Sequence, residues 1–150
     1  MMLVVEPGDP RDPQAVALLQ ASHALMMELF EPEENHFLSV DDLCTPDIHF
    51  FVARRGPNVL GTGAIVARDG YGEIKSMFTS PQARGQGVAD ALLRQLEDQA
   101  RSLGLPLLCL ETGDKLHAAH RLYQRHGFTL CDPFGDYLAI PASIFMEKPL

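Results

Sequence analysis

A strand, a glycine-rich loop and a helix follow one another directly in the middle of the chain. The pattern predicts a strand over residues 72–79, then the loop Gln82-Ala83-Arg84-Gly85-Gln86-Gly87, then a helix from Val88. A helix that begins directly after such a loop places free backbone N–H groups and the positive end of its dipole at one point. The pattern therefore indicates an anion site suited to a pyrophosphate. The alternative is a tight turn whose glycines only cap the helix.

The amino-acid sequence of this loop excludes two other kinds of phosphate-binding loop. The dinucleotide fingerprint G-x-G-x-x-G requires a third glycine at position 90, where the chain has Asp90, a negative charge in the first helical turn. The P-loop requires a Gly-Lys pair, and the chain contains none. The loop is therefore typical of neither a Rossmann protein nor a P-loop NTPase.

Apolar periodicity and turn residues predict a single α/β domain over residues 1–150. Strands are predicted at 3–6, 48–53, 59–67, 72–79, 107–112, 128–131 and 144–148. Helices are predicted from Pro13 up to Pro32, from Val88 up to Gly104 and over 115–126, with a short helical turn around 40–44. In the first helix, Leu18, Leu25 and Leu29 share the face expected to be buried.

The net charge of −8 comes from one segment of the chain. Residues Asp12 to Ala53 include eight acidic residues and no Lys or Arg, and the remaining 12 acidic and 12 basic residues sum to zero. Nucleic acids and anionic membrane surfaces both require clustered Lys and Arg. We therefore expect neither a nucleic acid nor a membrane as a partner.

The three cysteines, Cys44, Cys109 and Cys131, are odd in number and show no C-x-x-C spacing. This usage is typical of reduced thiols rather than of disulfides or zinc ligands. No signal-peptide pattern opens the chain, and its apolar runs fall far short of the roughly 20 residues of a membrane span. We therefore expect a cytoplasmic protein. His117 and His120 share a helix face without further ligands nearby in sequence, so no metal site is expected.

Three motifs of the chain resemble the GNAT superfamily of acetyl-CoA-dependent N-acetyltransferases. Gln82-x-x-Gly85-x-Gly87 is similar to the family's Q/R-x-x-G-x-G/A loop, and residues 73–79 before it to the family's fourth strand. Leu122-Tyr123-Gln124-Arg125-His126-Gly127-Phe128 is similar to the late L-Y-x-x-x-G-F motif. Leu110-Glu111-Thr112-Gly113 and Pro133-Phe134-Gly135-Asp136-Tyr137 resemble a bacterial subgroup of small acetyltransferases whose substrates are mostly unassigned.

The resemblance implies a fold and a co-substrate site. The fold would have a central mixed, mostly antiparallel sheet with flanking helices, whose fourth and fifth strands splay apart to hold acetyl-CoA. The backbone of Met77, Phe78 and Thr79 would pair with the pantetheine arm, and a backbone N–H near Phe78 would polarise the thioester carbonyl. The pyrophosphate would be held by Gln82, Arg84, Gly85, Gln86, Gly87, Val88 and Ala89.

The resemblance also implies catalytic candidates. Tyr123 matches the family's general acid, since a phenol stays protonated at neutral pH and can donate to the departing thiolate. Glu73 is the first candidate for the general base and Glu111 the second, with a water chain as the alternative. A purely structural interpretation makes Tyr123 a core aromatic residue and each carboxylate the partner of Lys75 or an arginine. Leu116 stands where many relatives carry an Asn that helps to hold the cofactor arm.

The leading hypothesis is transfer of an acetyl group to the amine of a small, cationic or amino-bearing acceptor by direct attack. In the family, the first helices and the loop between them form the acceptor side, and here they carry the excess negative charge. The residues expected to contact the acceptor are Glu28, His36 and Glu111. A protein or peptide amine, a different acyl group, and a non-catalytic coenzyme A sensor are the alternatives. A homodimer and the role of residues 133–137 are left open.

Overall fold

Seven strands and three α-helices follow one another along the chain, and the computed structural model describes all 150 residues. The strands are β1 (Leu3–Pro7), β2 (Ile48–Arg55), β3 (Asn58–Ala67), β4 (Gly72–Thr79), β5 (Leu107–Gly113), β6 (Thr129–Leu130) and β7 (Ser143–Pro149). The α-helices are α1 (Pro13–Leu29), α2 (Val88–Ser102) and α3 (His117–Arg125), and single 3-10 turns occur at Pro32–Glu34, Asp42–Cys44 and Pro81–Ala83.

The strands form one sheet in the order β1-β2-β3-β4-β5-β7-β6. All neighbouring strands are antiparallel except β4 and β5, which are parallel. The expected mixed, mostly antiparallel sheet is therefore confirmed. The β4–β5 pairing begins at Gly72 and Leu108 and ends at Ile74 and Leu110, although both strands continue further. The sheet consequently opens between the ends of β4 and β5.

Helices cover both faces of the sheet. Neighbouring residues of β2 point to opposite faces. Phe51 and Ala53 pack with α2 and α3 in the larger core, whereas Phe50 and Val52 pack with α1 in the smaller one. In α2, apolar residues at helical spacing form the buried stripe, namely Val88, Leu92, Leu93, Leu96 and Ala100.

The start of α1 follows the sequence prediction, but its buried face does not. The carboxylate of Asp12 accepts a hydrogen bond from the Gln14 N–H, and Pro13 occupies the first helical position. The fully buried residues of α1 are Ala15 and Leu19. The predicted face of Leu18, Leu25 and Leu29 is half-buried, because it lies about 100° round the helix from the residues that contact the sheet.

Two further boundaries differ from the prediction. Helix α3 begins at His117 rather than at residue 115, because the preceding residues form a turn in which the Leu116 N–H donates to the Gly113 carbonyl. Strand β6 is limited to Thr129 and Leu130, the two residues that pair with β7. No helix of the chain has the length and apolar character needed to cross a membrane.

Candidate active site

A cleft lies where the pairing of β4 and β5 ends. It has a volume of about 140 Å³, many times what one water requires. The strands form two walls, the end of α1 with the segment after it forms a third, and α3 forms the fourth. The lining residues include Lys75, Ser76 and Met77 of β4, Glu111, Thr112 and Gly113 of β5, Ser22, Met26, Glu34 and His36 of the α1 side, and Leu116, Ala119 and Tyr123 of the α3 side.

A β-bulge turns the backbone of β4 toward this cleft. Thr62 pairs with Phe78 and Ala64 with Lys75, so two residues of β4 oppose a single residue of β3. One of the two, Ser76, has a φ of +57° and is the one non-glycine residue of the chain with a positive φ. The Thr62 hydroxyl, fully buried, donates a 2.8 Å hydrogen bond to the Ser76 carbonyl. The strained backbone is therefore fixed by a side chain of the neighbouring strand.

The glycine loop presents free backbone donors at the start of α2. Gly85 and Gly87 have φ values of +77° and +79°, a conformation that glycine adopts without the steric cost of a Cβ. The N–H groups of residues 84–87 donate no hydrogen bond to the backbone of the chain, and those of the first turn of α2 lack helical partners. These donors converge beside the end of β4, as expected for an anion site.

Tyr123 lies at the wall of the cleft on α3 and is 6% exposed. Its ring packs edge-on against Phe128. Burial alone raises the pKa of its phenol well above the ordinary value. The hydroxyl therefore stays protonated at neutral pH and can act as a proton donor.

Glu73 is enclosed by partners rather than open to the cleft. Its side chain is 2% exposed, and Arg68 donates to Oε1 through two nitrogens at 3.1 and 3.2 Å. The Tyr137 hydroxyl donates to Oε2 at 2.6 Å, and the Lys75 ammonium lies 3.6 Å from the same oxygen. Glu73 does not line the cleft but a neighbouring cavity, which it shares with Arg68, Tyr137 and His36, and His36 lines both. Both carboxylate oxygens of Glu73 are thus occupied by contacts with other protein side chains.

Glu111 and His36, by contrast, meet inside the cleft. Oε2 of Glu111 accepts a 2.9 Å hydrogen bond from the Ser143 hydroxyl and lies 3.5 Å from Nδ1 of His36. The backbone carbonyl of His36 accepts a 2.9 Å hydrogen bond from the Lys75 ammonium. Two residues that are distant in sequence, and that belong to two walls of the cleft, are thereby brought together.

Glu28 lies away from the cleft, so its expected contact with the acceptor has no geometric support and stays a prediction. Glu28 is exposed and does not line the cleft. Met26 faces the cleft, and a residue two positions later points about 200° away round the helix. Glu34, in the 3-10 turn after α1, is the acidic residue of this segment that lines the cleft, and its Oε1 accepts a 2.8 Å hydrogen bond from the Glu31 N–H.

Comparison with known proteins identifies the fold family. Residues 17–128 match the family model described as the acetyltransferase (GNAT) family. The chain belongs to the GNAT family. It is 43% identical over 143 residues to an IAA acetyltransferase of Azospirillum brasilense, with 94% of each chain covered. It is 31% identical over 116 residues to an aminoalkylphosphonate N-acetyltransferase of Salmonella typhimurium, covering 71% of this chain and 75% of the relative.

A solved GNAT-type structure gives the same assignment. A crystal structure from Klebsiella pneumoniae, assigned as an acyl-CoA N-acyltransferase, superimposes with a TM-score of 0.84 at 34% identity and covers 99% of this chain and 98% of that one. GNAT enzymes use acetyl-CoA as their co-substrate, and structurally similar chains have been solved with coenzyme A or acetyl-CoA bound. The protein is therefore an acetyl-CoA-dependent N-acetyltransferase.

The residues of this GNAT chain fit acetyl-CoA. The edge of β4 beyond Ile74 has no strand partner on the β5 side, so the backbone of Met77, Phe78 and Thr79 is free to pair with an extended ligand. The side chains of Gln82 and Gln86 bind Ser80 and Arg55 instead. The Val88 side chain is buried. These loop residues can thus hold a pyrophosphate through their amides, with the exposed Arg84 as a mobile charge.

Sequence reasoning missed Lys75 and Tyr137 as parts of the GNAT site. The Lys75 ammonium donates to the Tyr137 hydroxyl at 2.7 Å, and that hydroxyl donates to Glu73. Burial, and then the hydrogen bond to Glu73, raise the pKa of the Tyr137 phenol well above its ordinary value. The sequence does mark both residues, Tyr137 by the Pro133–Tyr137 motif and Lys75 as a lysine within an apolar strand. Neither mark indicates that the two side chains contact each other. Leu116 stands where many relatives carry an Asn. It lines the cleft and occupies the N-cap position of α3, but its side chain makes no capping hydrogen bond.

Proposed function

We propose that this enzyme transfers the acetyl group of acetyl-CoA to the amine of a small, cationic acceptor. The acceptor attacks the thioester directly while both substrates are bound. The observation that carries this proposal is the cleft itself, where the β4 bulge on one wall faces Glu111 and His36 on another. An amine held between these walls would lie next to the position expected for the thioester.

The walls of the cleft favour a small acceptor. Residues from α1, the segment after it, β4, β5 and α3 line the cleft on several sides. A protein loop or chain terminus would need a longer open groove. The name of the Salmonella typhimurium relative, an aminoalkylphosphonate N-acetyltransferase, also refers to a small amine. We place the acceptor between the α1 side and the end of β5.

The cationic character of the acceptor is supported by two carboxylates rather than by the whole acidic segment. Glu34 and Glu111 line the cleft, and the charge of the neighbouring Lys75 is opposed by Glu73. Acidic residues of the segment also have local roles: Glu34 accepts the Glu31 N–H, Asp12 caps α1, Asp41 pairs with Arg11, and Asp42 caps a turn at Ser39. The negative electrostatic potential of the acidic segment would also attract cations from a distance.

The chain supplies the proton donor and the electrostatic stabilisation. Acetyl-CoA, when bound, provides a thioester carbonyl and a thiolate leaving group. A backbone N–H of the bulge, near Phe78, would stabilise the developing oxyanion, and Tyr123 would protonate the thiolate. Two protons leave the ammonium nitrogen in the complete reaction. One is balanced by the proton gained by sulfur, the C–N bond replaces the C–S bond, and one proton is released to solvent.

A thiol-release assay tests this proposal. The protein is incubated with acetyl, propionyl or succinyl thioesters of coenzyme A and a panel of amines, from diamines to amino acids and a lysine peptide. We expect the highest kcat/KM with the acetyl thioester and a small cationic amine, and a decline as salt rises from about 0.05 to about 0.5 M. A preference for anionic amines or for the peptide would refute the acceptor class. Acetyl-CoA binding without thiol release from any amine would indicate a sensor.

We also propose a cytoplasmic location. All three cysteines are free, and Cys109 is buried. Burial raises the pKa of the Cys109 thiol to about 12, which keeps it in the unreactive thiol form. Free cysteines in this number are typical of reducing compartments.

A further inference from the structure

We infer that His36 is the general base of the reaction and that Glu111 holds its imidazole in the reactive tautomer. The inference rests on the proposed function and deepens it. It replaces Glu73, the first candidate from sequence, by a pair of residues that faces the acceptor. Glu73 then becomes a positioning residue, which acts on His36 through other residues and not by direct contact.

The first observation is the surroundings of the His36 imidazole. Nδ1 is buried and makes no hydrogen bond, and Oε2 of Glu111 lies 3.5 Å from it. A buried ring nitrogen facing a carboxylate is favoured as an N–H donor, because the opposite tautomer would set a lone pair against negative charge. Nε2 then carries the lone pair. Contacts of this kind are often long before substrates bind and shorten in the complex.

The second observation is the anchoring of the His36 main chain. The Lys75 ammonium, with a side chain 10% exposed, donates to the His36 carbonyl at 2.9 Å and to the Tyr137 hydroxyl at 2.7 Å. The Tyr137 ring contacts the His36 ring edge to face, with 5.1 Å between centroids. Tyr137 is held in turn by its 2.6 Å hydrogen bond to Glu73. The segment that carries His36 is thus tied to β4.

The third observation is the charge around the ring. Oε2 of Glu111 lies 3.5 Å from Nδ1 of His36. The Lys75 ammonium, which holds the His36 carbonyl, lies 3.6 Å from Oε2 of Glu73, and that carboxylate opposes its charge. A carboxylate therefore lies next to the ring that would receive the proton.

The proton transfer follows from this arrangement. The acceptor ammonium gives one proton to Nε2 of His36, and the freed electron pair of nitrogen attacks the thioester carbon. The C–S bond breaks, and the sulfur takes its proton from Tyr123. The second proton of the nitrogen leaves as the tetrahedral intermediate collapses, the Tyr123 phenolate is reprotonated from solvent, and His36 releases its proton to solvent. The overall balance is one proton released for each amide formed.

Acceptors of different basicity separate a base from a binding residue. The best alkylamine of the thiol-release panel is compared with the matching alkoxyamine, which is already neutral at neutral pH. His36→Gln should lower kcat/KM for the alkylamine by about 100-fold, and for the alkoxyamine by less than about fivefold. The acidic limb of the pH profile should disappear with the alkylamine. His49→Gln, a change on β2 outside the cleft, should leave both values unchanged.

Two outcomes overturn the inference. Equal losses with both amines would show that His36 only binds the acceptor or shapes the site, and an unchanged pH profile would show that it takes no proton. Both outcomes leave the proposed function intact, since the native enzyme would still release thiol. If the native enzyme releases none with any amine, the proposed function itself fails and the inference falls with it.

A second measurement does not depend on turnover. In ¹⁵N spectra of imidazole-labelled protein, neutral His36 should carry its proton on Nδ1, and Glu111→Gln should shift the tautomer population toward Nε2. In the same spectra Glu73→Gln should change the chemical shifts of the His36 ring, because it alters the contacts of Tyr137 and Lys75 that anchor His36. A tautomer population unaffected by Glu111→Gln would refute the role of Glu111, and ring shifts that Glu73→Gln leaves in place would refute that of Glu73.

Discussion

The cofactor half of the site and the acceptor half are built from different kinds of chemical group. The cofactor half consists of main-chain groups, namely the free edge of β4 and the amides of residues 84–87. The acceptor half consists of side chains from distant parts of the sequence, with His36 after α1 and Glu111 on β5. A main-chain site depends on backbone conformation and tolerates varied side chains, whereas a side-chain site depends on each residue and its partners. The two halves should therefore fail in different ways when residues are changed.

The largest effect is expected for Gly87→Val. Gly87 has a φ of +79°, and an added Cβ would meet no protein atom within 4 Å, so valine strains the backbone and projects into the open space where the pyrophosphate would bind. The stabilisation of the protein by acetyl-CoA in a thermal shift assay should be lost. Gly104→Val is the matched control, because Gly104 at the other end of α2 has a φ of +73° and the same open surroundings. Full stabilisation of the Gly87 variant would show that the loop does not bind the co-substrate.

The next effect is expected for Tyr123→Phe, at the boundary of the two halves. The change removes the hydroxyl but retains the buried ring, so kcat should fall by about 100-fold while the thermal shift with acetyl-CoA is retained. Tyr71→Phe, a change outside the cleft, serves as the control. Unchanged kcat in the Tyr123 variant would remove this residue from the role of proton donor.

Glu73 and Glu111 provide a direct contrast within neighbouring strands. Glu73→Gln leaves the charges of Arg68 and Lys75 unopposed in a buried site, which should lower the free energy of unfolding by about 2 kcal/mol. Glu111→Gln keeps the hydrogen bond from Ser143 and should cost less than about 1 kcal/mol, but it should lower kcat/KM by about tenfold. Urea unfolding and initial rates measure the two effects. The opposite pattern would show that Glu73 is the residue of the acceptor site.

The smallest effect concerns a side-chain contact beneath the cofactor loop. Asp90 accepts hydrogen bonds from His126 at 2.9 Å and from Arg125 at 3.1 Å, and these contacts lower the pKa of its carboxyl group. A lowered pKa in the folded state means that the contact stabilises the protein above the ordinary pKa and is lost as pH falls through the lowered value. Asp90→Asn should therefore cost about 1 kcal/mol near neutral pH and little in strong acid.

The control for this last change is Asp98→Asn, since Asp98 is exposed on the same helix and lies 3.9 Å from Arg101. It should change the unfolding free energy by less than about 0.5 kcal/mol. An Asp90 variant with the same pH dependence as the native protein would show that the contact does not stabilise the start of α2.

The strand, loop and helix of the cofactor half could be predicted from the sequence because they lie in one continuous stretch, and their binding of the co-substrate stays a prediction. A strand, a loop with two glycines and a helix specify a backbone path without any information on distant residues. The acceptor half was predicted only residue by residue. His36 and Glu111 were both named, but their contact depends on how the segment after α1 folds over β5, and no local pattern encodes that.

Glu28 and Glu73, which the sequence placed in the site, both lie outside the cleft for the same kind of physical reason. Glu28 was placed in the acceptor site because its charge lies in the acidic segment, yet the phase of α1 turns it to solvent. Glu73 was ranked above Glu111 as a base from its strand position, whereas its access to substrate is decided by Arg68, Tyr137 and Lys75 around it. Its role as a base stays a prediction without geometric support. Burial and partners, rather than residue type, separate the two carboxylates.

The hydrogen bond from Lys75 to the His36 carbonyl has a consequence for the order of events in turnover. Because it ties the segment after α1 to the sheet before any substrate arrives, this segment does not need to close over the acceptor as a lid. The two substrates can then enter from separate sides, acetyl-CoA along the free edge of β4 and the acceptor between α1 and β5. Departure of coenzyme A and of the amide would be independent steps, and no slow conformational phase should precede the first turnover.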